Sequence, residues 1–187
     1  MNDTLRTIEN RYSCRAFSSQ PVERDKLEAI ARAAVQAPSG MNRQPWQVIV
    51  IADKALLDEM DAAGMSTLEG AALERFTTWG GKLFFNAPCM FLILKKPGAD
   101  LDTGIITAHI SLAATSLGLG NVICGMARIP YSGEKGEEFR SRIGVPEGWE
   151  LGMTVLVGYE AENAHDSARF SLREANHPDM NKIRFLG

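Results

Sequence analysis

The stretch Arg11-Tyr12-Ser13-Cys14-Arg15-Ala16-Phe17 places a guanidinium, a hydroxyl and a second guanidinium at every second position. In an extended segment, side chains at i, i+2 and i+4 share a face, whereas helical spacing would scatter them. The pattern therefore predicts an extended segment with Arg11, Ser13 and Arg15 on one side and Tyr12, Cys14 and Ala16 against the core. The planar fork of arginine suits bidentate contact with phosphate, and a serine hydroxyl adds a donor. The same residues would also serve as ordinary solvated arginines on a loop.

A second stretch, Ala37-Pro38-Ser39-Gly40-Met41-Asn42-Arg43-Gln44-Pro45-Trp46, follows a helical pattern and precedes a strand pattern. Binding loops sit at such junctions. Pro, Ser, Gly and Asn end the helix and expose backbone N–H groups, while Asn42 and Gln44 each offer an acceptor and an amide donor pair. That combination suits a flat heterocycle with mixed polarity on its rim. A plain turn leading to a buried Trp46 is the alternative.

Together the two stretches resemble the nitroreductase family of FMN-dependent oxidoreductases, through an R-x-S-x-R segment at 11–15 and a P-S-x-x-N-x-Q-P-W loop at 38–46. The resemblance implies that Arg11 and Ser13 bind the FMN phosphate, with Tyr12 between them, and that Arg15 reaches the pyrimidine edge of the flavin. It also implies that Asn42 lies at the isoalloxazine and that Pro38-Ser39 comes from the partner subunit, while Gln44 is a further cofactor-binding candidate from its amide chemistry. Ile123, Cys124 and Gly125, after a G-L-G segment, become candidates for backbone approach to the ring. Arg169, following Val157-Gly158-Tyr159, is the best match to a phosphate-binding arginine in the tail. Ser167 stands where many relatives place a lysine, which leaves one positive charge fewer.

The composition is that of an ordinary globular protein. The chain has 187 residues, 45% hydrophobic and 23% charged, enough for one domain over 1–187 with a sizeable core. A formal net charge of −3 argues against a broad nucleic-acid or anionic-membrane surface. The N-terminus has no apolar leader, and the longest apolar run, 87–94, is too short to span a bilayer. Cys14, Cys89 and Cys124 are an odd number in no metal spacing, so a reducing, cytoplasmic setting with buried thiols is expected.

Periodicity predicts helices over 4–10, with Leu5 and Ile8 on one face, and over 23–36, 53–60, 65–76, 102–117 and 134–143. Gly64 is read as the break between the third and fourth. The stripe Ile105, Ile106, His109, Leu112, Ala113, Ser116 and Leu117 is read as the apolar face of the longest helix, suited to a dimer interface. Strands are expected over 46–52, in a central position, and over 89–94 and 150–158. The Gly-x-Gly at 118–120 leaves a helix rather than entering one and is no dinucleotide fingerprint. Trp79, Phe84 and Phe85 read as core or as a roof over a ligand.

The expectation is an α+β fold, a central mixed sheet flanked by helices, in an intertwined homodimer whose extension over about 159–187 wraps the partner. Two flavin sites would lie at the interface. The resemblance implies hydride transfer from NADH or NADPH to flavin N5 and then to an electron-poor acceptor (nitroaromatic, quinone or enone) in a ping-pong scheme, with no catalytic side chain required. A non-catalytic, redox-responsive flavin protein would use the same pocket. A cysteine peroxide reductase lacks a pair of attacking and resolving thiols.

Overall fold

A computed structural model describes residues 1–78, 80–162, 164 and 179–184. Its centre is a four-stranded sheet of β1 (Trp46–Ile51), β2 (Cys89–Lys95), β3 (Gly120–Ile123) and β4 (Glu150–Gly158), in the order β1-β2-β4-β3. All three ladders are antiparallel. The expected mixed sheet is thus antiparallel in its strands, and its parallel component is an isolated bridge, Ser13 to Asn121.

β2 is buried at every position because both its faces are covered. Met90, Leu92 and Leu94 join Leu57, Met60, Phe84 and Phe139 on one side. Cys89, Phe91 and Ile93 meet α2 (Arg24–Ala34) and α5 (Asp100–Ser116) on the other, through Leu27, Ile30, Ile106 and Ile110. An unbroken apolar run is the signature of such a strand. β1 carries a similar run but lies at the edge of the described sheet, with Gln47 and Val50 exposed, which corrects its expected central place. Apolar composition registers a strand's covered faces and says nothing of its free backbone edge.

Three helices depart from expectation. Gly64 does not break the chain: α3 (Lys54–Met65), capped by Asp53, runs through it, and α4 (Gly70–Thr78) starts later. A Cβ on Gly64 would lie 2.5 Å from Leu83 Cδ1, so the residue is there for packing. In α5 the buried residues are Thr103, Ile106, Thr107, Ile110, Ser111 and Ala114, a face rotated from the expected stripe. Its hydroxyls are satisfied internally: Thr103 donates to Ala99 O at 2.7 Å, Thr107 to Thr103 O at 2.6 Å, and Ser111 to Asn121 Oδ1 at 2.6 Å. Back-bonded hydroxyls can enter a core that a hydropathy count assigns to larger residues. In α1 (Asp3–Asn10), capped by the Asn2 side chain, Leu5 and Ile8 remain 53% and 51% exposed.

The last α-helix among the described residues, α6 (Gly136–Ile143), leads into β4. Phe84 and Phe85 are core residues, while Trp79 lies outside the described residues. Among the described residues no helix is long and apolar enough to cross a membrane.

Candidate functional site

The segment after α1 is extended from Arg11 onward (φ −63, ψ 127). It lies along β3: the Cys14 N–H donates to Asn121 O at 2.8 Å, and Ser13 faces Asn121. Further on, Ser18 N–H donates to Tyr159 O and Ala161 N–H to Ala16 O, with Phe17 bridged to Glu160. Tyr12 and Cys14 are buried, and Arg11, Ser13 and Arg15 are half-buried on the opposite face, as the alternation predicts. Ala16 is only half-buried and Phe17 takes its expected place in the core. Gly120 permits this approach, since a Cβ there would lie 2.9 Å from Cys14 Sγ.

Arg15 is drawn partly out of water, which pulls its pKa below the usual guanidinium value, and it sits within electrostatic reach of Cys124 and Cys14. The fold therefore brings the 11–15 segment to residues 123–125. There Ile123 is 43% exposed and Gly125 is exposed, whereas the Cys124 side chain is buried. Cys124 N–H donates to Thr154 O, and its carbonyl accepts from Thr154 Oγ1. Burial pushes all three thiols up, Cys14 to about 11 and Cys89 to about 12. Burial likewise raises the Tyr12 phenol, beside Glu160. Tyr12 and Cys124 thus point inward, and their neighbours supply the open surface.

The 37–46 loop is fixed by its own polar groups. Ser39 Oγ accepts from Gln44 N–H at 2.9 Å, Gln44 Nε2 donates to Asn42 Oδ1 at 3.0 Å, and Gly40 N–H donates to Asp102 Oδ1 at 3.0 Å. Met41, Asn42 and Gln44 all have positive φ, at 54°, 53° and 48°. Left-handed backbone at non-glycine residues costs on the order of 1–3 kcal/mol each and concentrates at ligand clamps. Pro38, Asn42 and Gln44 are exposed.

These two halves do not meet within one chain. Trp46, at the end of the loop, is in register with Lys95 and Glu150, while Ser13 is level with Asn121, Val157 and Cys89. At about 4.8 Å per strand and 3.4 Å per residue, these corners of the sheet are about 25 Å or more apart. Arg169 and Ser167 lie outside the described residues. Among the described residues no His, Cys, Asp or Glu group is arranged to hold a metal.

Sequence reading also missed a neighbouring groove of about 610 Å³, lined by Arg43, Gln44, Lys96 and Trp149 among others. The Lys95-Lys96-Pro97-Gly98 run reads as a strand stop, and only the paired lysines ahead of that turn hinted at more.

Residues 8–159 match the nitroreductase family. The chain is similar to a solved nitroreductase with bound FMN from Desulfitobacterium hafniense DCB-2, at 40% identity and a TM-score of 0.86 over the whole of both chains. A relative in Archaeoglobus fulgidus, whose name pairs NADH dehydrogenase with NAD(P)H nitroreductase, is 31% identical over 167 residues, covering 85% of this chain and 86% of its own. An NADPH-flavin oxidoreductase of Vibrio harveyi is 25% identical over 190 residues, covering 96% of this chain and 75% of its own.

Proposed function

The chain belongs to the nitroreductase family, and from that premise we propose that it is an FMN-dependent oxidoreductase that draws reducing equivalents from NADH or NADPH and delivers them to an electron-poor acceptor such as a quinone, nitroaromatic or enone. The observation that carries the reading is the shared open face of Arg11, Ser13 and Arg15 beside Ile123 and Gly125. The residues fit FMN. Two guanidiniums and a hydroxyl suit its phosphate and the anionic edge of its ring, and a partly desolvated arginine gains most from an anion, because low local dielectric strengthens the pair.

In this proposal Arg11 and Ser13 hold the phosphate, joined by Arg169 from the tail, and Arg15 faces the pyrimidine edge. Ile123 and the backbone at Gly125 pack against one side of the ring. When bound, FMN supplies the two-electron chemistry in a ping-pong exchange between donor and acceptor. Arg15 stabilises negative charge at the pyrimidine edge as a preorganised donor does.

The second wall, Pro38-Ser39 with Asn42 and Gln44, comes from the other subunit of a homodimer. The separation of about 25 Å between the two halves supports this, being far beyond the reach of side chains around one ring. So does the α5 stripe Ile105, His109, Leu112 and Ala113, which the chain's own core leaves only half covered. The test is anaerobic: purified protein should carry FMN, bleach with NADH or NADPH, and recolour with a quinone or nitroaromatic. Flavin that neither nicotinamide bleaches within minutes would make the protein a flavin binder and not an oxidoreductase.

A further inference from the structure

We propose that the groove between the 40–45 loop and the 96–99 turn binds the phosphate-bearing nucleotide end of the pyridine-dinucleotide donor, with Arg43 and Lys96 on its phosphates and the Trp149 ring against its base. This rests on the oxidoreductase reading above.

The groove has a volume of about 610 Å³, within the range of small-molecule sites. Its walls are fixed: Lys96 N–H donates to Pro45 O at 2.9 Å, and Ala99 N–H to Lys96 O at 3.1 Å. The left-handed Met41 and Gln44 line it.

Among the described residues its two rim cations form no ion pair. Arg43 is exposed and donates to Met41 Sδ, a weak acceptor, at 3.2 Å. Lys96 Nζ lies 4.4 Å from the centroid of the Trp149 ring. Neither carboxylate of the Lys95 cluster, Asp100 or Glu150, pairs with Arg43 or Lys96 among the described residues. The nearby carboxylates are occupied. Asp102 Oδ1 accepts from Gly40 N–H, and Lys95 Nζ lies 3.3 Å from Asp100 and 2.8 Å from Glu150. A phosphate would draw Lys96 off the indole face and leave that face to a base, and such stacking tolerates any base because each has a π-face. Arginine's fork adds bidentate contact.

Location selects the ligand. Gly40, Met41 and Gln44 line the groove and also belong to the loop proposed as the second wall of the flavin. A donor whose nicotinamide reaches that flavin has its other half beside the same loop, where the groove begins.

The experiment uses the FMN-loaded protein, with ADP and adenosine 2′,5′-bisphosphate as probes in calorimetry and as inhibitors against the donor. The variant is Arg43→Ala with Lys96→Ala, both exposed and outside the flavin contacts. Wild type should bind a probe and be inhibited competitively. The double variant should lose at least about tenfold in probe affinity, the scale of one charge-assisted contact, and its KM for the dinucleotide should rise comparably. Its kcat, FMN content and KM for reduced nicotinamide mononucleotide, which lacks the adenylate half, should hold. Tighter binding of the 2′,5′-bisphosphate than of ADP would assign the cations to the 2′-phosphate, and the reverse order to the pyrophosphate. Failure of both probes to bind, or unchanged affinity and KM in the double variant, overturns the groove assignment while bleaching by donor leaves the oxidoreductase reading standing. A protein that no dinucleotide bleaches, yet which binds ADP through Arg43 and Lys96, removes the oxidoreductase reading and keeps a nucleotide site.

Discussion

Ser13 is paired with Asn121 in a parallel bridge, secured by the Cys14 N–H donating to Asn121 O at 2.8 Å. The pairing turns a short segment between two helices into an added rung on β3. It also fixes which face the arginines present, because register on a strand decides the face of every side chain. Asn121 is itself held, accepting from Ser111 Oγ and donating to Thr115 Oγ1 at 3.0 Å, so the anchor reaches into α5.

Removing Arg11, the proposed phosphate contact, should release flavin without unfolding the chain. Arg11→Ala is expected to cost about 1.5–3 kcal/mol of FMN binding, the worth of a charge-assisted hydrogen bond, with an unchanged circular dichroism spectrum. Equal FMN occupancy in variant and wild type, by absorbance after titration, would remove Arg11 from the site.

Gly120→Ala tests the docking of the same segment at a distance from its charges. The added Cβ would lie 2.9 Å from both Cys14 Sγ and Glu160 Cγ. Overpacking of this kind costs about 1–3 kcal/mol. The variant should melt lower and bind FMN more weakly although no proposed ligand contact is altered. A melting temperature equal to wild type would contradict it.

Asp61 holds the 83–84 turn, its Oδ1 accepting from Leu83 N–H at 2.7 Å and Phe84 N–H at 3.1 Å. Asp61→Ala would strand two buried amides at about 1–3 kcal/mol each, whereas Asp61→Asn keeps an acceptor. Burial raises the Asp61 pKa, opposed by these amides and by Lys82. Between the ordinary carboxylate value and the raised one the folded state binds more protons, so this group's contribution to stability falls as pH rises through that window. Thermal melts from pH 4 to 7 should show wild type losing ground to Asp61→Asn as pH rises. A constant or opposite difference would count against the raised carboxyl.

The three thiols should be inert in the native protein. All are buried and pushed above the usual thiol range, and the thiolate is the reactive form. A disulfide reagent at pH 8 should find no fast thiol in folded protein and three after denaturation. Prompt native reaction would mean that the buried region opens.

Local pattern was a good guide wherever one physical effect dominated. The 11–15 alternation, the Asp53 cap and the span of β4 all follow from side-chain period and capping chemistry. Reading failed where two effects share one signal. Gly64 marks close packing against Leu83 and not a break, and the core face of α5 hides three satisfied hydroxyls. β1 carries the composition of a central strand at an edge, and edge position is a property of topology. Short motifs are enough to nominate the candidate site residues, but their placement at opposite corners of the sheet is not legible there, since it depends on strand order. The groove at Lys96 and Trp149 joins residues over fifty positions apart, which no local pattern registers.

In the proposed assembly the flavin is held between two chains. The decisive measurement is size-exclusion chromatography with light scattering and in-line absorbance, on apo and FMN-loaded protein diluted through the dissociation range. Because a ligand that binds the assembled form stabilises it by mass action, FMN should travel with the mass of a dimer and shift dissociation to lower protein concentration. A monomer that retains stoichiometric FMN would rule out the shared site and place all of it within a single chain.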